Sequence, residues 1–388
     1  LKIVKNHLNH KNMNCDTITY SELNILIVDL NINKDIHRIR IVDKSLVNDI
    51  YINIKSNGGV DMPLFLKPIF HEKMWGGNKL ENFGYQLPNQ QIGECWGISA
   101  HPNGKNIIKN GPYAGQTLDQ VWTEHRELFG EFPSKDFPLL AKIVDAESPL
   151  SIHVHPDDSY AYENENGQYG KSECWYVIDA EEGSEIILGT TADSKETFKK
   201  HLDDGSVEDT LRKVNVRSGE FYFVPAGTIH SIGAGIVAYE VMQSSDISYR
   251  VYDYQRDNHN GESRELNINK ALDVMAFNND LPNIVPEKEI IESHQCTHIV
   301  SNDFFTIVKW EISGTLNYMK PREFCLVSVI DGEGKLITDG DIFDIQKGSH
   351  FVLTSEDLDN VFEGDFSLII SYISVSYTHL TLPTNREV

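Results

Sequence analysis

Three histidines on short apolar runs constrain this chain more than any other feature. The run Ser151-Ile152-His153-Val154-His155-Pro156 places two imidazoles two residues apart. On a strand, residues i and i+2 share a face, so His153 and His155 project together while Ile152 and Val154 turn the other way. Downstream, Gly219-x5-Pro225-x-Gly227-x2-His230 predicts a strand opened by a glycine turn and a tight Pro-Ala-Gly corner. His230 then stands where a new strand begins. Between the two segments, Glu173 heads the strand-like run Glu173-Cys174-Trp175-Tyr176-Val177-Ile178. A lone His-x-His is weak evidence for a metal. Two or three imidazoles and a carboxylate converging inside a small barrel make a divalent-metal site.

The spacing that ends at His230 resembles the second motif of the cupins, double-sheet β-barrels with a site in the mouth. Two departures refine the resemblance: Ala234 stands where cupins usually carry Asn, and Glu173 lies further from the His pair than in generic cupins. The blocks SIHVHPDD (151–158), GKSECWYVI (170–178), VPAGTIHSIGAG (224–235) and SYRVYDY (248–254) closely resemble the short bacterial form of type I mannose-6-phosphate isomerase. So do MWGG (74–77), IGECWGISAHPNG (92–104) and FPLLAKIVDA (137–146), and the likeness runs over roughly residues 63–373.

That resemblance implies a mainly β chain of two cupin-type, jelly-roll barrels with a helical insertion around the first. It implies an aldose–ketose isomerase that interconverts D-mannose 6-phosphate and D-fructose 6-phosphate through an enediol(ate). His155, Glu173 and His230 become the ligands of one metal ion per chain. Their donor types admit iron or manganese as well as zinc; the family resemblance favours Zn2+. His153 stands where the family commonly has Gln, and is either a fourth ligand or a group behind the ligands. Arg250 resembles the family's active-site arginine, against the plainer reading of a surface salt bridge to Asp246 or Asp253. Lys171, Glu240 and Glu94 are candidates for the base by position in matching blocks. Lys171 could instead hold the phosphate, and Lys142 either acts similarly or is structural. A non-catalytic cupin that binds a sugar phosphate is the competing reading; absence of Lys171, Glu173 or Arg250 would have favoured it, and all are present. A metal-cupin dioxygenase has only the generic motif behind it.

Composition narrows the partners. A formal net charge of −24 argues against nucleic acid or an anionic membrane, both of which need basic patches. A phosphorylated metabolite needs only a local cluster of cations and stays open. Five cysteines, scattered without Cys-x-x-Cys spacing, fit a reducing cytoplasm rather than a disulfide framework.

The chain divides by composition and pattern. Residues 1–61 lack Pro, Ala, Phe and Trp and are crowded with Ile and Asn; we read them as an extension foreign to the rest, with a genuine small domain as the alternative. Residues 62–290 form the catalytic cupin domain and 291–374 a second, metal-free cupin-like domain, while 375–388 read as a foreign tail. Leu64–Trp75 is expected to be an opening strand that closes on the barrel. Thr117 caps a helix with His125 on its apolar stripe, as a core or boundary residue. Asp157 to Gly170 is an exposed loop. Helices are expected over 195–202, 207–214 and 267–277. Asp331-Gly332-Glu333-Gly334 is expected to turn a hairpin. Gly348–Leu353 echoes Gly219–Val224 without the Pro, the second Gly or the His, and His350 reads as a surface histidine.

Overall fold

In the computed structural model, residues 62–256, 263–277, 285–357 and 359–374 are described in full, together with the backbone of four strands ahead of them. Those four, Thr17–Tyr20, Ile25–Asn33, Ile36–Asp43 and Asp49–Lys55, pair in sequence order as an antiparallel meander and form a unit of their own. The expectation of a foreign extension falls on this unit, whose side chains lie outside the described residues. So does that of a foreign tail over 375–388.

From residue 62 onward the fold is mainly β, and its centre is a six-stranded sheet. The strand order is Phe221–Val224, Glu173–Ala180, Ile236–Gln243, Leu139–Ala146, Ile69–Gly77, Ile92–Ile98. Leu139–Ala146 and Ile236–Gln243 are buried at every position, so this sheet is covered on both faces. The alternation of side chains splits it cleanly. Ala141, Ile143, Cys174, Val237, Tyr239 and Val241 pack with Ile307, Leu326 and Ile369 of the second half. Val144, Trp175, Val177, Ile236 and Ala238 turn the other way and pack with Ile186, Leu188 and Ile232. These last belong to a five-stranded sheet ordered Leu211–Asn215, Glu185–Thr190, His230–Ile232, Ile152–Val154, Tyr249–Tyr252. The first half is thus a two-sheet sandwich of cupin type; its sheets stay open instead of closing by hydrogen bonds into a barrel.

The second half repeats the pairing. His350–Leu353, Cys325–Thr338, Asn360–Ile373 and Phe305–Tyr318 lie side by side in the order that Phe221–Val224, Glu173–Ala180, Ile236–Gln243 and Leu139–Ala146 follow. The echo noticed between 219–224 and 348–353 is therefore topological. In it Cys325 opposes Leu353 as Glu173 opposes Val224, so a buried thiol stands where the first half has a carboxylate. The opening segment joins the halves rather than closing one barrel. Pro68 interrupts it, since proline lacks the N–H a ladder needs. Leu64–Lys67 pairs with His350–Leu353, and Ile69–Gly77 pairs with Ile92–Ile98.

Several local expectations change. The helix expected over 195–202 is Lys195–Asp203, capped by Ser194, whose hydroxyl accepts from the Thr197 amide. The helix expected over 207–214 is one turn of 3-10 helix, Val207–Thr210, followed by a strand; pairing with Glu185–Thr190 overrides local propensity. The loop after Asp157 contains the helix Asp158–Asn164, capped by the Asp157 carboxylate at the Tyr160 amide. The hairpin expected at 331–334 is continuous strand, because Asp331–Gly334 face Gly364–Ser367 across the ladder. The turn lies at Asp339-Gly340, both with positive φ. No helix among the described residues is long and apolar enough to cross a membrane.

His350 is a correction too, being buried rather than on the surface. Its Nδ1 lies 2.7 Å from Ser328 Oγ and its Nε2 2.7 Å from Tyr85 Oη, while Tyr239 Oη donates to Ser328 at 2.9 Å. Burial, with Lys109 adding to it, lowers the His350 pKa to about 3 from an ordinary 6.5. The stability this neutral imidazole contributes is therefore complete above pH 6.5 and is lost as pH falls toward 3. Each pH unit in that window costs about 1.4 kcal/mol for one proton. His350→Gln should show a shallower loss of urea stability than the parent between pH 6.5 and 5; parallel slopes would remove His350 from the acid response.

Candidate metal centre and active site

The ligating groups meet because the two sheets of the first half face each other. On the five-stranded sheet, His153 is in register with His230 on one side and Arg250 on the other. His155 follows directly after the strand Ile152–Val154. The rings close up, with His153 4.3 Å from His230 and His155 4.7 Å from His230 between centroids. Their ligating nitrogens all lie within 4.8 Å of one another. From the opposite sheet, Glu173 brings Oε1 to 3.3 Å from His230 Nε2 and Oε2 to 3.4 Å from His155 Nε2.

Each imidazole is held in the tautomer a metal requires. His153 Nδ1 lies 2.6 Å from the Ser151 carbonyl, His155 Nδ1 2.6 Å from that of Ile247, and His230 Nδ1 2.8 Å from that of Thr228. A carbonyl can only accept, so Nδ1 carries the hydrogen and Nε2 keeps its lone pair for the centre. Burial, with the Lys171 charge adding to it, lowers the His155 pKa to about 3. Burial and the two neighbouring imidazoles put His153 well below its ordinary value. At neutral pH both rings are neutral. His155 Nε2 and His230 Nε2 are buried with no hydrogen-bond partner, and both face the buried Glu173 carboxylate, whose Oε2 is also met by the Lys171 ammonium. Buried polar atoms are rarely left so. Two such imidazole nitrogens converging on a carboxylate are a donor set that fits a divalent cation.

Beside this cluster the inner face of the six-stranded sheet carries a chain of alternating charge. Lys171 Nζ is 2.9 Å from Glu173 and 3.4 Å from Glu240; Lys142 Nζ is 3.2 Å from both Glu240 and Glu94. The half-exposed Lys73 ends the chain, 3.2 Å from Glu94. The strand ladder explains the order, since Lys142 lies opposite Glu240, and Glu240 lies opposite Trp175. Burial alone would discharge such groups. It is overcome by Glu240 and Glu94 at Lys142, and by Glu173 and Glu240 at Lys171, so both lysines are held above their usual range. In Glu94 and Glu173 burial is outweighed by Lys142 and Lys171 respectively, and both carboxyls fall. Glu240 goes the other way, raised by burial and then by the charge of Glu173.

Arg250 sits at the rim of the cluster. Its Nη1 donates to the Glu265 carbonyl at 2.8 Å, and its buried Nε has no partner. The plainer reading of a surface salt bridge fails among the described residues. Asp253 is taken by Arg256 and Arg264, and Asp246 accepts from Asn103.

Of the seven site residues expected from sequence, His153, His230 and Arg250 lie on strands of the five-stranded sheet and Glu173 and Glu240 on strands of the six-stranded sheet. His155 directly follows Ile152–Val154, and Lys171 stands two residues ahead of Glu173. Glu94 and Lys142 join them through the charge chain. Sequence reasoning missed the carbonyls of Ser151, Thr228 and Ile247, since backbone acceptors leave no residue-type signal. It also missed Trp175, whose buried Nε1 has no partner and whose ring meets His230 edge-on at 5.6 Å.

Comparison with known proteins agrees with this geometry. The catalytic domain of phosphomannose isomerase type I matches residues 64–194, and the cupin domain of mannose-6-phosphate isomerase matches 294–373. The chain is 44% identical over 311 residues to the mannose-6-phosphate isomerase of Streptococcus mutans, covering 80% of this chain and 98% of that one. It is 42% identical over 316 residues to mannose-6-phosphate isomerase ManA of Bacillus subtilis, covering 80% and 99%. The crystal structure of the mannose 6-phosphate isomerase from Bacillus subtilis superposes with a TM-score of 0.79 at 42% identity, over 80% of this chain and 99% of that one. With both halves matched and nearly the whole length of each relative covered, the chain belongs to the type I phosphomannose isomerase family.

Proposed function

We propose that this mannose-6-phosphate isomerase is metal-dependent and interconverts D-mannose 6-phosphate and D-fructose 6-phosphate through an enediol(ate). The observation that carries the reading is the convergence of partnerless His155 Nε2 and His230 Nε2 on the Glu173 carboxylate, beside the buried Glu240 carboxyl and the buried Lys171 and Lys142 ammonium groups. His155, Glu173 and His230 hold the ion, taken as one Zn2+ per chain, with His153 as a fourth ligand. When bound, the ion polarises the sugar carbonyl and lowers the energy of the developing oxyanion.

The chain's own groups do the rest. Moving a proton between C1 and C2 needs one group that can both accept and release it. Glu240 suits that role, with a buried Oε1 that lies between the Lys142 and Lys171 ammonium groups and a carboxyl that burial and the Glu173 charge hold above its ordinary range. Lys171, gripped by Glu173 and Glu240, stays an ammonium and serves as a fixed cation beside the reacting oxygens. Lys142 and Glu94 hold Glu240 in place from behind. Arg250 offers its free Nε to negative charge and, as a guanidinium, keeps its proton. Four buried free cysteines among the described residues support a reducing, cytoplasmic setting for the chain. Residues 62–374 are taken as the working unit, in line with the separate grouping of residues 1–60.

A coupled assay forming fructose 6-phosphate from mannose 6-phosphate should show turnover by the 62–374 fragment equal to the full chain. Turnover should be abolished by chelator and restored by zinc. Activity indifferent to exhaustive chelation would reject metal dependence. Metal analysis should find His230→Ala nearly empty and His153→Gln close to fully loaded, because an amide oxygen can replace the imidazole. Full occupancy in His230→Ala would remove that residue from the ligand set.

Arg250→Ala tests the charge-stabilising role. Losing a contact made only in the transition state costs ~3 kcal/mol, about a hundredfold or more in kcat, with a smaller change in KM. Arg250→Lys should recover only part of the rate, since it keeps charge without the planar fork. A raised KM at unchanged kcat would instead mean that Arg250 grips the substrate equally in ground and transition states.

A further inference from the structure

The second half, which lacks the His-x-His pair, holds another convergence of ligating atoms at the edge of its sheet. Cys296 and His298 stand two apart on the strand His294–Ser301 and project to one face. Glu289 lies opposite Cys296 on the neighbouring strand Glu287–Ile291. Cys296 Sγ is 3.6 Å from His298 Nε2, and Glu289 Oε1 is 3.2 Å from the same nitrogen. All three donors fall within 4.8 Å of one another.

We infer that Glu289, Cys296 and His298 form a second metal site, selective for a thiophilic divalent ion of the zinc class. The distances are those of a coordination shell. Zinc bonds of ~2.3 Å to sulfur and ~2.0 Å to nitrogen and oxygen close a tetrahedron with an S···N edge of ~3.5 Å and an N···O edge of ~3.3 Å. Cys296 is buried against the core while Glu289 and His298 are half exposed, so the fourth position opens to water. A thiolate with an imidazole selects zinc over the hard ions that carboxylates alone would take. Binding replaces the thiol proton, which leaves to solvent.

The place in the fold suggests what the ion does there. Among the described residues, Glu287–Ile291 is the last strand of its sheet, exposed at every residue and paired only with His294–Ser301. A metal joining Glu289 to Cys296 and His298 staples this edge strand through side chains, where burial of apolar groups does not.

Cobalt distinguishes this site from the first. The His and Glu donors of the first site contain no sulfur, so only the second can give a thiolate-to-cobalt charge-transfer band. The chelator-treated full chain, titrated with Co2+, should develop that band with one equivalent beyond the first site. Cys296→Ser should abolish the band while isomerase activity is retained. His298→Gln, which alters a half-exposed side chain and keeps the thiol, should weaken band formation at least tenfold. A chain that loads its first site with cobalt and shows no band, or a band unchanged in Cys296→Ser, would overturn the proposal. In that event the three groups are joined by hydrogen bonds alone.

Discussion

The carboxylate of Glu173 is the contact on which the arrangement of the site depends. It stands on the six-stranded sheet, and its two oxygens reach across to His155 and His230 on the five-stranded sheet. One of those oxygens also meets Lys171 at 2.9 Å on its own side. A buried carboxylate is costly unless charge and hydrogen bonds compensate it. Here the compensation is shared between a fixed ammonium and the space among imidazole nitrogens that have no other partner. The same group therefore links the two facing sheets and defines where a cation would rest. Every other charged group nearby, from Lys171 out to Lys73, is arranged in alternation from it.

This arrangement also explains why the second half repeats the fold without repeating the site. The strand order is the same, yet Cys325 occupies the position of Glu173, and its strand is buried in an apolar layer with Val327, Val329, Leu353 and Ile370. Without the carboxylate there is no reason for imidazoles to turn inward. His350 is instead tied to Tyr85, Ser328 and, through Ser328, to Tyr239 of the first half. The second sheet thus supports the first from behind, with Tyr239 only one residue from Glu240.

How much of this the sequence discloses depends on the range of the interaction. The pair two residues apart, His153 with His155, follows from strand periodicity. The turns at Gly219 and Gly227 follow from φ values of 91° and 85°, which glycine adopts without strain. Whatever depends on a distant partner is not legible. Leu211–Asn215 is a strand because Glu185–Thr190 lies beside it. Gly332 and Gly334 continue a strand because the ladder with Asn360–Ile373 leaves no room for side chains there. The burial of His350 is set by Tyr85 and Ser328, neither near it in sequence. Cys296 and His298 obey the same two-residue rule as the first His pair. Their significance emerges only with Glu289 on the adjoining strand.

The account stands most directly on Glu173, and the neutral isostere Glu173→Gln isolates its charge while preserving its volume. Bound metal and isomerase turnover should be measured on the same preparation, purified beside the parent chain. The expected result is a fall in metal affinity beyond the ~10–100-fold typical of groups behind the ligands, with turnover falling in parallel and thermal stability nearly kept. A variant that retains both full metal content and parental turnover would contradict the account, because the two sheets would then hold their ion without the contact described here as joining them.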